Sequence, residues 1–365
     1  MPDGGDTMAE KTMKAIVYTG YKQLEYKDVP VPECGEYDVI VEVKACSICG
    51  VDLHWYSGKL DDSDKAPFIL GHEFCGVIHE MGSKVDPFWK VGDRVACDNT
   101  ATACGRCETC SRGDFVRCEE RVMMGGGMDG CFTKYVRIPG KVLNMYPNAI
   151  MRLPDSISFE EGALLEPAAG SYNAVIQEAQ IIPGDTIVVY GLGALGFGSV
   201  QAAKLAGAGL IIAVGMKSDK EVRFPLAKKL GADYVFAADE EENLAEKIKE
   251  ICREDPARIL IDAVGAPSVM EDGFKFLARQ SRIIRIGNIP ADYNHSLLPI
   301  HQKALTVIGH IGYNTVSWNR VITLAKKGRY DLKSPISKVI PLSGYDEGFQ
   351  LMLAQKVAKI VMIPE

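Results

Sequence analysis

Short apolar runs broken by Gly, Pro and Asp dominate the first half of the chain. AIVYT, DVIVEVKA, FCGVIHEM, DRVAC and FTKYVRI read as the strands of an all-β barrel. The rhythm then changes. TIVVY (186–190), GLIIAV (209–214), YVFAA (234–238), ILIDAV (259–264), RIIRIGN (282–288) and LTVIGH (305–310) are short apolar runs, as strands buried on both faces require. Helical spacing fills 194–206, 222–230, 242–253 and 268–278 between them, which predicts a parallel sheet covered by helices on both sides. Segment 289–304 carries no clear helix. After 311 come a helix (WNRVITLAKKG), a strand (SKVIPL), a helix (GYDEGFQLMLAQ) and a last strand (AKIVMIP), expected to return to the first domain. The expected domains are 1–165 joined with 311–365, and 166–310.

The length of 365 residues allows two such domains. Composition is that of an ordinary soluble protein, 47% hydrophobic and 24% charged. A net charge of −7 gives no broad attraction to nucleic acid or anionic membrane. The apolar runs stop well short of a membrane span. The opening MPDGGDTMAEKT has no apolar signal core and reads as a disordered tail, with Met8 or Met13 as a natural start. A cytoplasmic protein is expected.

The cysteines sharpen this picture. CGRCETCSRGDFVRC places Cys104, Cys107, Cys110 and Cys118 in C-x2-C-x2-C-x7-C spacing, with a lobe of about 97–120 around them. In a reducing compartment close-set thiolates point to tetrahedral Zn2+ rather than to disulfides. A closed four-thiolate site has no open position, so this zinc holds structure. Arg106, Arg112 and Arg117 offset its charge. The rival reading is a redox or chance cluster.

GLGALG (191–196) has G-x-G-x-x-G spacing between a predicted strand and a helix, the context that makes the pattern a dinucleotide site. Gly191 permits the turn, Gly193 lets the backbone approach a pyrophosphate, and Gly196 lets helix and strand pack closely. Ala194 and Leu195 place their amides at the helix start. At the end of the second strand, where a ribose-binding carboxylate is expected, stands Gly215. Lys217 and Arg223 could then meet a 2′-phosphate, which leans the cofactor from NAD toward NADP. Asp219 or Glu221 could instead take over the ribose.

SICGVDLHWYSG, GHEFCGV, the four-cysteine lobe and the glycine turn follow one another in an order that resembles the zinc-dependent medium-chain dehydrogenase/reductase superfamily. Glu166 in GALLEPAAGSYNAV, where alcohol dehydrogenases carry Cys, resembles the polyol branch of sorbitol, glucose and threonine dehydrogenases. The resemblance implies a GroES-like β-barrel catalytic domain around a Rossmann domain. It implies a catalytic zinc held by Cys49, His72 and Glu166, with Glu73 as carboxylate neighbour, and His54 as outer general base. Such an enzyme would use NAD(P) to interconvert a secondary alcohol of polyol, sugar or amino-alcohol type and its ketone. One closed four-cysteine set and one open Cys/His/Glu set give an expected two Zn2+ per chain, and a homodimer or homotetramer is expected.

Two positions depart from the family pattern. Val51 stands where Ser or Thr usually relays the proton, and its side chain carries none. Gly50 lacks a basic pyrophosphate contact, which Lys359 in the tail could supply. Cys34, Cys46, Cys75, Cys97, Cys131 and Cys252 read as packed thiols, and His79, His295, His301 and His310 as structural or surface residues. Trp55, Phe74, Tyr172 and Tyr313 are candidate pocket walls or plain core. Rival functions are a dehydrogenase or carbonyl reductase for less polar ketones, a quinone-type reductase, and a non-catalytic scaffold that binds zinc and nucleotide.

Overall fold

A computed structural model describes residues 12–145, 149–289 and 291–365. Most of the expected N-terminal tail, including Met8, lies outside the described residues; Met13 is buried in the strand Thr12–Gly20.

The apolar runs of the middle third form six parallel strands. Their spatial order is Tyr234–Ala237, Leu210–Gly215, Thr186–Tyr190, Ala257–Asp262, Arg282–Arg285 and Thr306–Gly309. In chain order this is 3-2-1-4-5-6. Thr186–Tyr190 therefore borders the point where the winding reverses, and the crevice beyond its carboxyl end is where such sheets bind nucleotides. The helix expected over 194–206 forms over Ala194–Ala206 and ends on Gly207, whose φ of 84° suits a residue without a Cβ. In 289–304, where no helix was expected, Leu298–Lys303 is helical. It spans six residues, carries Pro299 at its second position and buries none of them, so it leaves no apolar period to read.

The first half builds a seven-stranded sheet. The chain Ile150–Arg152, Arg94–Cys97, Glu73–Met81, Val39–Ser47, Lys359–Ile363, Ile336–Pro341 runs across it, and Tyr135–Ile138 pairs with Val39–Ser47. A three-stranded sheet of Gln23–Pro30, Thr12–Gly20 and Phe68–Ile69 packs beside it. The two tail strands join this barrel, where Val361 pairs with Ser47 and Met362 with Cys46.

One apolar cluster fixes the helix Leu165–Tyr172 between the domains. Leu165, Ala168 and Ala169 pack with Tyr313, Trp318 and Val321 from after the parallel sheet, and with Ala45, Cys75 and Val361 from the barrel. Burying each side chain the size of Leu or Val contributes about 1.5–3 kcal/mol. The backbone that carries Glu166 is thus set by packing on both sides.

Candidate active site

Strand register begins the site. Ser47 pairs with Glu73 across Val39–Ser47 and Glu73–Met81, so Cys49, just past one strand, comes beside His72, just before the other. One ligand atom each of Cys49, His72 and Glu73 lies within 4.8 Å of the others. Cys49 is also the N-cap of the helix Gly50–Ser57, and its amide donates to Asp52 Oδ2 at 2.8 Å.

The cluster is built for a cation. Burial, then the charge of Glu73, raises the Cys49 thiol well above its ordinary pKa. Burial lowers His72 to about 4, leaving the neutral imidazole that ligates metals. Glu73 Oε1 is buried without a hydrogen-bond partner, a costly state that a metal would relieve. Glu73 Oε2 is held: Lys359 Nζ donates at 2.5 Å, and the Ser47 hydroxyl donates as well as reaching the Ala163 carbonyl. These donors fit a Zn2+ with nitrogen, sulfur and oxygen ligands.

Glu166 stands beside this set rather than within it. Its Oε1 accepts from Asn99 Nδ2 at 2.8 Å, and Arg121 Nη2 donates to Asn99 Oδ1 at 2.5 Å. Burial, then the charge of Glu73, pushes the Glu166 carboxyl up, so the two carboxylates share one environment. His54 sits half-buried in the last turn of Gly50–Ser57, and burial, aided by Lys59, lowers its pKa. Val51 packs against the barrel core.

Asp52 is the residue that the sequence does not single out, although it stands within SICGVDLHWYSG. Its Oδ1 lies 3.6 Å from His72 Nδ1, and neither atom has another partner. A small closure would fix the proton on Nδ1 and direct Nε2 outward, the usual outer-carboxylate arrangement for a ligating histidine. Asn99 gave no sequence signal at all, because only the fold brings it to Glu166.

Lys359 lies away from the role suggested for it. Its ammonium is buried and donates to Glu73 and, at 2.7 Å, to the Ile48 carbonyl. Two of its three N–H groups are engaged inside the barrel rather than reaching toward a pyrophosphate.

The cysteine lobe is compact. The sulfurs of Cys104, Cys107, Cys110 and Cys118 lie within 4.8 Å of one another, and Cys104 and Cys110 are 3.9 Å apart. A tetrahedron with Zn–S bonds of about 2.3 Å has S–S edges of about 3.8 Å. The Cys107 amide donates to Cys104 Sγ and the Cys104 amide to Cys118 Sγ, both at 3.3 Å, contacts that favour thiolates. Cys107, near the Thr109 hydroxyl, is lowered to about 6. All eleven cysteines are free of disulfides. His310 binds Glu178 at 2.7 Å, His295 binds Glu271 at 2.7 Å, and His79 stacks on Tyr135. Of the candidate pocket walls, Trp55, Phe74 and Tyr313 are core, and Tyr172 is half-buried.

The glycine turn has the shape its spacing predicts. Gly191 has φ 94°, and a Cβ on Gly196 would lie 1.8 Å from the Gly191 carbonyl oxygen. A Cβ on Gly193 would meet nothing within 4 Å, which leaves the helix start at Ala194 and Leu195 open to a ligand.

The ribose end is arranged differently from an open corner at Gly215. A Cβ on Gly215 would come 2.6 Å from Asp219 Oδ2. Asp219, four residues on, thus places its carboxylate where an acid at 215 would project. That carboxylate accepts from the Met216 amide at 2.8 Å and pairs with Arg223 Nη1 at 3.1 Å. Arg223 is buried and also donates to the Val357 carbonyl. It is therefore not free for a 2′-phosphate. Lys217 remains exposed, 3.5 Å from Glu240.

Comparison with known proteins agrees with this layout. Residues 35–148 match the alcohol dehydrogenase GroES-like domain, and 194–327 match the zinc-binding dehydrogenase domain. The zinc-type alcohol dehydrogenase-like protein YdjL of Escherichia coli is 36% identical over 96% of this chain and 98% of its own length. D-arabitol-phosphate dehydrogenase of Enterococcus avium is 32% identical over 96% and 97%. L-threonine 3-dehydrogenase of Pyrococcus horikoshii is 33% identical over 98% and 99%. Among solved structures, a zinc-binding dehydrogenase from Sinorhizobium meliloti bound to NADP superposes with a TM-score of 0.85, at 26% identity, over 97% of this chain and 100% of that one. An alcohol dehydrogenase from Escherichia coli CFT073 complexed with NADH gives 0.85 at 26% identity, over 97% and 99%. The chain belongs to the zinc-dependent medium-chain dehydrogenase/reductase superfamily, in its polyol dehydrogenase branch, with a GroES-like and a Rossmann-type domain.

Proposed function

We propose that this zinc-dependent alcohol dehydrogenase oxidises a secondary alcohol of polyol, sugar or amino-alcohol type to the ketone, and runs the reverse reaction, with a nicotinamide dinucleotide. The observation that carries the reading is the Cys49, His72 and Glu73 set, with Cys49 half-buried, His72 and Glu73 buried and Glu73 Oε1 unsatisfied, in one chain with an open G-x-G-x-x-G turn.

Cys49, His72 and Glu166 would hold the catalytic zinc, with Glu73 beside it or exchanging with Glu166. A bound Zn2+ supplies a Lewis acid that acidifies an alcohol hydroxyl and, in reverse, polarises a carbonyl. Asp52 keeps the proton on His72 Nδ1. Lys359 and Ser47 hold Glu73 Oε2, leaving Oε1 for the site. Asn99 holds Glu166 Oε1. His54, neutral because its pKa is lowered, accepts the alcohol proton at a ring nitrogen through water or ribose hydroxyls, since Val51 cannot relay it. The amides after Gly193 bind the pyrophosphate. The cysteine lobe would hold a second, structural zinc.

The expected NADP lean loses its main support with Arg223 buried against Asp219, so NAD is the proposed cofactor. A homodimer or homotetramer is proposed as well: Thr306–Gly309 is an outer strand of the parallel sheet, and Val307, Ile311 and Val316 beside it are exposed. Eleven free cysteines suit a reducing, cytoplasmic setting. No helix among the described residues is long and apolar enough to cross a membrane.

The test is a screen of polyols, sugar phosphates, amino alcohols and ketones with NAD and NADP, before and after chelation. Zinc-dependent reduction of NAD by an alcohol in the panel is expected. A zinc-replete, NAD-binding protein that turns over none of them would favour the scaffold reading.

A further inference from the structure

Arg121 differs from the other buried or half-buried guanidinium groups around the two sites. Arg117 pairs with Asp114 and Glu178, and Arg223 pairs with Asp219. Among the described residues Arg121 has no carboxylate partner. Its Nε donates to Thr100 Oγ1 at 3.1 Å and its Nη2 to Asn99 Oδ1 at 2.5 Å. An arginine has five N–H donors, so both hydrogens of Nη1 and one of Nη2 remain. Thr100 and Asn99 are buried, and they hold the guanidinium plane in one orientation.

That orientation places it beside the reaction. Asn99 also donates to Glu166, so Arg121 stands one side-chain amide away from the proposed metal ligand. Its charge reaches both His72 and Glu166. Arg121 directly precedes the strand Val122–Met124, which pairs with Thr100–Thr102, and this small sheet sets Asn99 and Arg121 side by side.

A preorganised, half-buried guanidinium with free donors and no acid calls for an anion, and its planar fork matches phosphate and carboxylate alike. We propose that Arg121 anchors an anionic group, phosphate or carboxylate, on the substrate of the dehydrogenase, so that the substrate class is an anionic hydroxy compound rather than a neutral polyol. This rests on the alcohol–ketone chemistry proposed above. The hydroxyl end lies at Cys49, His72 and Glu166, and a short carbon chain places the anion at Arg121.

The zinc-loaded, full-length protein is assayed with paired substrates: pentitols and hexitols against their terminal phosphates, and amino alcohols against the corresponding hydroxy amino acids. At least one anionic member should exceed its neutral parent about tenfold or more in kcat/KM. Arg121→Met should erase that advantage mainly through KM, while Arg121→Lys retains part of it. Which pair responds tells phosphate from carboxylate. Neutral parents turned over as well as every anionic partner would overturn the proposal, as would an Arg121→Met variant that slows both members of a pair alike, the mark of a residue that only orients Asn99. Inorganic phosphate gives a readout without turnover. It should raise Tm more in the wild type than in Arg121→Met, and an equal shift counts against the anchor. Were no alcohol oxidised with either cofactor, the proposed function would fall, and this phosphate-dependent shift would still decide the anion site.

Discussion

Lys359 and Glu73 meet as a buried ion pair, 2.5 Å apart, with 2% and 1% of their side chains exposed. The pair joins the strand Lys359–Ile363 to the candidate metal cluster of the barrel, which ties the returning tail to the site. Removing one partner leaves an uncompensated charge in the interior. Lys359→Met should therefore destabilise the metal-free protein by about 3–5 kcal/mol, and Glu73→Gln in the same background should recover part of the loss. Urea unfolding of the two variants checks this. Equal stability of Lys359→Met and wild type would mean that the pair does not hold the tail to the barrel.

The two cysteine-containing sites should separate cleanly. Cys49→Ala is expected to abolish turnover, lower zinc content from two to one per chain, and leave Tm within a few degrees, because the barrel and the sheet do not depend on it. Cys107→Ser breaks the compact sulfur set, so loss of solubility and of Tm should come first. Elemental analysis of freshly purified protein prepared without chelators is the check. A single zinc in the wild type would sink the two-site reading.

Glu166→Ala removes the third of the proposed ligands, so catalytic zinc or most activity should go with it. Asn99→Ala tests the same carboxylate through its holder. Loss of an outer hydrogen bond to a ligand lowers metal affinity about 10- to 100-fold, so a competing chelator should strip one zinc sooner while the cysteine-bound zinc stays. Unchanged zinc content and kcat in Glu166→Ala would pass the ligand role to Glu73.

Sequence reasoning reached these sites unevenly, for physical reasons. The helix 194–206, the parallel strands and the return of AKIVMIP to the barrel carry strong local patterns, and the structure has them. The fingerprint glycines are equally legible, since each answers one steric demand. Partners are not. Lys359 reads as an exposed cation at a strand start, yet it is buried because Glu73 waits for it 286 positions away. Arg223 reads as a helix-start cation free for phosphate, yet Asp219 one helical turn earlier turns it inward. Asn99 and Arg121 lie in runs without any motif and acquire meaning only when the small sheet of Thr100–Thr102 and Val122–Met124 brings them to Glu166.

His54 gives a pH signature. Burial and Lys59 lower its pKa from 6.5, so the ring stays neutral, and able to take a proton, until the pH falls below that value. Wild-type kcat should therefore hold through neutrality and decline only in more acidic buffer. His54→Ala should slow the proton step about 10²–10⁴-fold, less at high pH, where hydroxide replaces the base. A pH–rate profile of the two proteins decides it; identical profiles would remove His54 from the proton path.

The last prediction concerns the ribose end. Asp219 fills the corner that a side chain at Gly215 would take, 2.6 Å from where its Cβ would lie, and it keeps Arg223 paired. A 2′-phosphate would there meet a carboxylate and find the nearest guanidinium engaged, whereas a 2′-hydroxyl could donate to that carboxylate. Wild-type kcat/KM should favour NAD. Asp219→Ala removes the repulsion and frees Arg223 together, and one charged hydrogen bond of about 1.5–3 kcal/mol corresponds to roughly ten- to a hundredfold in affinity. The NADP to NAD ratio should rise by that order, and Arg223→Met added to Asp219→Ala should bring it back down. Gly215→Asp, which would be the direct way to install a ribose ligand if the corner were empty, should instead crowd Asp219 and lower Tm. A wild type that prefers NADP, with its preference unmoved by Asp219→Ala, would return the phosphate contact to Lys217, the exposed cation of that turn.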